Sequence, residues 1–199
     1  MTIAFARRGQ TATAPSHAIG GESSSDETLV RRIAGRDKLA MQALFARYQV
    51  RVYRFALRIV RDETLAEDLM SDVFLDVWRQ AAQFEARATV STWLLAIAKY
   101  KALSTLRRRP EMELDSEMAA TIADPADNPE AAYQKKNSGE VLRQCLATLS
   151  PEHGQIIDLV YYHGKTVREV AVIVGIPEPT VKTRMFYARR RLAEQIKAA

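Results

Sequence analysis

From Asp26 onward the apolar residues recur at intervals of three and four, the period of helices with one buried face. "SDETLVRRIAG" predicts a short helix, capped by Ser25 or Asp26 and ended by Gly35. "DKLAMQALFARYQVRVYRFALRIV" predicts a longer one, with Leu44, Tyr48, Val52, Phe55 and Ile59 along one face. Thr64 and Glu67 have the spacing of a capping box and predict the start of the next helix. In that helix Leu65, Ala66, Leu69, Met70, Val73, Phe74, Val77 and Trp78 form a double apolar stripe. "QFEARAT" interrupts the pattern, and "VSTWLLAIAKYKALSTLRRR" restores it as far as Pro110. No stretch alternates with period two, so no strand is predicted.

The pattern then lapses. Residues 111 to about 134 contain Pro125, Pro129 and many acids, and read as a linker. Helices resume around Asn137. Ser150 followed by Pro151 suits a cap and a first helical position, and Gly164 suits a helix end. Thr166 and Glu169 make a second capping box. The predicted fold is all-α, with two small helical domains. A flexible N-terminal tail spans 1–25, a helical bundle 26–109, an acidic flexible linker 110–136 and a helix-turn-helix domain 137–199. The acids of the linker are expected to keep it extended and to let the two domains reorient until a partner fixes them.

Charge sharpens this division. The chain has a formal net charge of +5, which suggests a polyanionic partner. Between Arg109 and Lys135 there is no Lys or Arg, but there are Glu111, Glu113, Asp115, Glu117, Asp124, Asp127 and Glu130; from Lys165 onward the excess is basic. The apolar fraction of 47% is enough for a core and excludes global disorder. Cys145 is the single cysteine, so no internal disulfide can form, and its apolar helical setting predicts a buried, inert thiol. His17, His153 and His163 lack metal-ligand spacing, and no metal or other cofactor is expected. The chain has no apolar run near the ~20 residues of a membrane span and no secretory h-region, so a cytoplasmic protein is expected. No paired nucleophile and base and no glycine-rich phosphate loop are visible, which argues against an enzyme.

"TVREVAVIVGIPEPTVKTRMFYARRR" carries the most specific local signal. With Val167 as first position, Ala171 is the fifth, Gly175 the ninth and Val181 the fifteenth. A small fifth residue lets a second helix cross closely, the ninth must accept a positive φ, and the fifteenth plugs the core. This is helix-turn-helix spacing, and it would lay the second helix in a major groove. Its N-terminal residues Glu178, Thr180, Lys182 and Thr183, followed by Tyr187, are candidates for base contact. Arg190 and Arg191 are candidates for phosphate contact. Glu169 and Arg184 are expected to form a structural ion pair between the two helices.

The first domain carries two further patterns. Asp68, Asp72 and Asp76, spaced by four, form one acidic stripe with Leu75 exposed beside them. The stripe suits either a solvated face or a docking face for a basic partner helix. Phe84, Trp93 and Tyr100 are interleaved with Arg87, Lys99, Lys101 and Arg107, a mixture that suits single-stranded DNA, whose unpaired bases stack and whose phosphates need neutralising. Trp93 is expected to be at least partly core.

"LAEDLMSDVFLDVW" and "FEARATVSTWLLAIAKYKALSTLRRR" resemble the polymerase-binding and promoter-melting region of bacterial sigma factors. "LSPEHGQIIDLVYYHGKTVREVAVIVGIPEPTVKTRMFYARRRL" resembles their second promoter-reading domain. The short two-domain layout is similar to the extracytoplasmic-function (ECF) group of the sigma-70 family. The resemblance spans about 26–109 and 138–196. It implies a subunit that directs core RNA polymerase to promoters and helps open them, in a stress or signal response. It places Asp68, Asp72, Leu75 and Asp76 on the helix that meets the polymerase clamp. Gln83 to Thr89 fall in the loop that captures a flipped base, and Lys182, Thr183 and Tyr187 on the distal-element reading helix. It also implies an anti-sigma partner. Tyr100 and Ser104 stand where the family commonly has Asn and Asp. The competing expectation is a stand-alone helix-turn-helix regulator, which would need neither the acidic stripe nor the aromatic-basic loop.

Overall fold

A computed structural model describes residues 24–108 and 144–198. The predicted linker, most of the tail and the helix expected from Asn137 lie outside those residues, apart from a helical stretch at 144–147. The described chain is helical, and no strand occurs within it. The order is α1 (Asp26–Ala34), α2 (Lys38–Val60), α3 (Glu63–Gln80), a 3-10 turn (Ala81–Gln83) and α4 (Val90–Arg108). After residue 143 come α5 (Pro151–Ile157), which runs into a π-helical segment (Asp158–Tyr162), then α6 (Val167–Val174) and α7 (Glu178–Ala198).

The helix ends follow from local chemistry. Ser25 caps α1 and Asp37 caps α2 through side-chain oxygens that accept from free backbone N–H groups. The predicted start of α3 is corrected by the structure: Asp62, not Thr64, is the cap, and it accepts from the Leu65 N–H at 2.8 Å. Arg61 closes α2 in the left-handed conformation, so only Asp62 remains to bridge the two helices, and a carboxylate there also suits the positive end of the helix dipole.

In the first domain α2 packs on α1, α3 and α4, and buries Leu44, Val52 and Phe55 as the periodicity predicts. The double stripe of α3 serves two clusters. Val73, Phe74 and Val77 join the main core, while Leu65, Ala66 and Leu69 meet Ala56, Val60 and Ala102 in a second one. Cys145 is buried, as expected. In the second domain Leu149, Ile157 and Ala188 form a small cluster where α5 meets α7.

The two domains do not stand apart. α4 lies against α6 and α2 touches α5. The main core is continuous from Leu29, Phe55 and Leu94 to Ile156, Leu159, Val170, Ile173 and Val181. In this arrangement the apolar face of α6 is buried against the first domain, and burial of such surface favours contact at roughly 25 cal/mol per Å². The π-helical segment turns Asp158 inward, where its carboxylate meets Arg58 of α2 at 3.2 Å and the buried His163 imidazole at 3.3 Å.

Gly175 ends α6 with φ +69°, and nothing lies within 4 Å of where a Cβ would stand. The cost of a side chain there is backbone strain rather than collision. Gly175→Ala is expected to lower stability by about 1–2 kcal/mol, and Gly175→Asn by less, in thermal melts followed by circular dichroism.

Candidate nucleic-acid interface

The turn between α6 and α7 is built as its spacing requires. Thr166 and Glu169 form a reciprocal capping box: the Glu169 N–H donates to the Thr166 hydroxyl at 3.3 Å, and the Thr166 N–H donates to the Glu169 carboxylate at 3.0 Å. Gly175 supplies the left-handed turn, and Val181 is fully buried as the plug. Pro179 occupies the first turn of α7, where no helical bond is lost. With Val181 and Ala188 inward, Glu178, Lys182, Thr183, Tyr187, Arg190 and Arg191 are exposed and Thr180 is half-buried. The Thr183 hydroxyl donates back to the Pro179 carbonyl at 3.0 Å, which leaves its lone pairs and methyl group outward. Arg190 pairs with Glu194 at 3.0 Å in an exposed contact worth little, so a phosphate can take it over.

In the first domain Asp68 and Asp72 are exposed, and Leu75 beside them is 51% exposed. Asp76 is half-buried and meets Lys101 of α4 at 2.9 Å, with Asp72 at 3.8 Å from the same ammonium. Lys101 is thus turned toward the acidic stripe instead of outward. The helical register explains this, since Ala98 and Ala102 beside it face the core.

The interrupted segment forms an exposed loop ahead of α4. Ala86 takes a left-handed φ of 54°, rare for alanine, and this turn presents Arg87 to solvent in an exposed ion pair with Glu85. Phe84 folds back on Trp93, ring centroids 4.9 Å apart, and both are half-buried, as expected for Trp93. Thr89 starts α4: its carbonyl accepts from the Trp93 N–H at 3.0 Å and its hydroxyl from the Thr92 N–H at 3.3 Å. Further along, Tyr100 is 70% exposed and lines an open groove with Leu103, Leu106 and Arg107.

Lys99 is placed differently. It is half-buried and donates to the Val174 carbonyl at the end of α6. Burial, and the Arg184 charge across the interface, lower its pKa. The expected Glu169–Arg184 pair is also replaced. Glu169 meets Lys165 at 3.4 Å and accepts from the Thr92 hydroxyl at 2.7 Å and the Thr89 hydroxyl at 2.9 Å. The start of α6 faces the start of α4, so these groups lie nearer the carboxylate. Partial burial pushes the Glu169 pKa up, but the hydrogen bonds from the Thr166 backbone, Thr92, Thr89 and the Thr166 hydroxyl outweigh it and hold the carboxyl at about 2. In the sequence Lys165 marks only the start of the basic excess; its spacing of four from Glu169 is the signal that points to this pair. Among the described residues no group of His, Cys, Asp or Glu is placed to hold a metal, and no helix is long and apolar enough to cross a membrane.

Two helical units with this helix-turn-helix define a class. Residues 44–110 match the family model of sigma-70 region 2, and residues 139–192 match that of sigma-70 region 4. The chain belongs to the sigma-70 family and is an RNA polymerase sigma factor, a promoter-specific initiation factor. It is 31% identical over 173 residues to the ECF RNA polymerase sigma factor SigK of Mycobacterium bovis (BCG), covering 85% of this chain and 92% of that protein. The SigK of Mycobacterium tuberculosis H37Rv matches equally. Among solved structures, the sigma factor RpoE in complex with the anti-sigma factor NepR from Bartonella quintana has a TM-score of 0.58 and 25% identity, over 77% of this chain and 94% of that one. CnrH in complex with the cytosolic domain of CnrY has a TM-score of 0.62 over 88% of this chain and 99% of that one; at 20% identity it speaks for the fold alone.

Proposed function

We propose that this ECF-type sigma factor works through three separate surfaces. Asp68, Asp72, Leu75 and Asp76 on α3 dock core RNA polymerase. The loop with Phe84 and Arg87, together with Trp93, Lys99, Tyr100, Lys101 and Arg107 of α4, receives the proximal promoter element as its strands part. Glu178, Thr180, Lys182, Thr183 and Tyr187 read the distal element, and Arg190 and Arg191 hold its phosphates. The observation that carries this reading is the exposed edge of α7, with a lysine and a threonine at its start and arginines further along, on a helix whose other side is buried. Lys101, held by Asp76, tunes the acidic stripe as much as it serves DNA. The surfaces divide between domains at 26–109 and 137–199, with 1–25 as tail and 110–136 as linker. The factor is non-catalytic and cytoplasmic. The Bartonella relative, solved with an anti-sigma factor, supports an anti-sigma partner here too. The match of residues 44–110 to sigma-70 region 2 leaves the stand-alone regulator without support.

The test is a binding-site selection at two salt concentrations. Lysine donates to guanine acceptors, and a good base contact discriminates by about 1–3 kcal/mol. Lys182→Ala is expected to relax one or two positions of the distal element. Arg191→Ala is expected to weaken all sequences alike and to flatten the salt dependence. A parental motif with Lys182→Ala and an altered one with Arg191→Ala would reverse the orientation of α7 in the groove.

A further inference from the structure

We propose that Arg36, at the turn between α1 and α2, holds a backbone phosphate of the displaced promoter strand, next to the base captured by the loop. The contact is independent of sequence. It rests on the reading of Gln83 to Thr89 as the loop that receives that base.

The turn has an unusual conformation. Gly35 follows α1 with a φ of −81°, and the left-handed position falls on Arg36, with φ 64°. The Arg36 N–H donates to the Ile33 carbonyl at 2.8 Å and the Asp37 N–H to the Arg32 carbonyl at 3.1 Å. These bonds close a helix whose left-handed residue is ordinarily glycine. Strain kept at an arginine, with a glycine beside it, calls for a use of that side chain.

The side chain crosses to the end of α3. Its guanidinium lies over the Trp78 ring at 5.5 Å and donates to the Trp78 carbonyl at 3.1 Å. That carbonyl is among the last four of α3, which have no helical partner. Capping α3 accounts for this one bond, but a guanidinium has five N–H donors. Arg36 is exposed, and the adjacent carboxylate, Asp37, is taken by Arg32 at 2.8 Å and by the N–H groups of Leu39 and Ala40. Among the described residues no carboxylate pairs with Arg36. Its open edge therefore carries a charge without a counter-charge, in a plane already fixed by the ring and the carbonyl. Such an edge matches two oxygens of a phosphate and loses little freedom on binding them.

The position selects the phosphate. Trp78 lies just before the 3-10 turn that leads into the loop with Phe84 and Arg87, and α1 packs on that turn. α4 lies to one side of the loop; the end of α3 and Arg36 bound it on the other. Arg79, 70% exposed and 3.9 Å from Asp76, adds a second cation there. A strand with one base in the loop passes this edge as it leaves.

The test titrates holoenzyme, made with the full chain, with two fork-junction DNAs carrying the promoter that the parent selects. The single strand of the short fork ends at the captured base; that of the long fork runs several nucleotides further. The parent is expected to bind the long fork more tightly. Arg36→Gly keeps the left-handed turn and removes the cation. It is expected to bind the long fork about tenfold more weakly and to flatten its salt slope by about 0.7, the value for one phosphate of a single strand. Its binding of the short fork and of core polymerase is expected to match the parent. Arg36→Lys is expected to keep the salt slope and part of the affinity, and carries the comparison if melting curves show Arg36→Gly to be misfolded. Equal losses on both forks would leave Arg36 as a cap of α3 and overturn the site, as would no loss on either. Weaker binding of core polymerase would assign the open edge to a polymerase carboxylate and overturn it too. Phe84→Ala and Arg87→Ala check the loop separately and are expected to weaken the short fork. If they do not, base capture by the loop fails, while the Arg36 site is still decided by whether its loss is confined to the long fork.

Discussion

Exchanging Asp72 for Lys and Leu75 for Arg together is expected to reduce affinity for core RNA polymerase by on the order of a hundredfold, with little loss of stability. Both side chains are exposed on one edge of α3, an apolar group set among carboxylates. Such a group becomes the desolvated centre of an interface, where single truncations of ~2 kcal/mol or more are found, and the acids around it set orientation and approach. Asp76 holds Lys101 against α3 at 2.9 Å, so reversing its charge would set a second cation against Lys101 within the fold and confuse binding with stability. A titration of labelled sigma factor with core polymerase, beside a melting curve of the same variant, separates the two effects. An affinity within twofold of the parent would take the clamp contact off this edge of α3.

The parts of this molecule that were legible in the sequence are those whose cause is local. The capping box, the left-handed glycine and the buried Val181 of the helix-turn-helix all lie within 16 residues, and each follows from backbone chemistry that its neighbours cannot override. The exposure of Leu75 likewise followed from helical phase. The start of α3 departs from expectation because Thr64 and Glu67 satisfy the capping spacing, while the tightness of the α2–α3 turn, which favours Asp62, is set by how those helices pack. What the sequence hid altogether was the contact between the domains. Lys165 and Thr92 are 73 positions apart, and each had an adequate local explanation as a solvated lysine and a first-turn threonine. Glu169 was paired with Arg184 in expectation because both lie in the helix-turn-helix; the nearer partners come from another domain. Lys99 and Lys101 show the same limit. Composition placed both among DNA-binding cations, but helical phase turns one toward α6 and the other toward α3.

The continuity of the core leads to a second large effect, which reaches both domains from a single position. Phe55 is 1% exposed in α2, and its ring meets the buried His163 imidazole edge-on, with centroids 5.6 Å apart. Phe55→Ala removes that contact and leaves a cavity between α2 and the end of the π-helical segment. Truncating a buried phenylalanine costs about 3–5 kcal/mol, since transfer and cavity terms add. For a chain of this size that corresponds to a fall in melting temperature of roughly 6–20 °C. Its distribution discriminates between two pictures. Both tryptophans, Trp78 and Trp93, lie in the first domain, so their fluorescence follows that domain alone, while amide exchange along α6 follows the second. With one core shared across the interface, the fluorescence midpoint and the protection of the α6 amides are expected to fall together in Phe55→Ala. Domains that fold independently would lose the first and keep the second, because nothing in α6 itself has been altered. Unchanged α6 protection beside a large drop in the fluorescence midpoint would therefore contradict a core held in common.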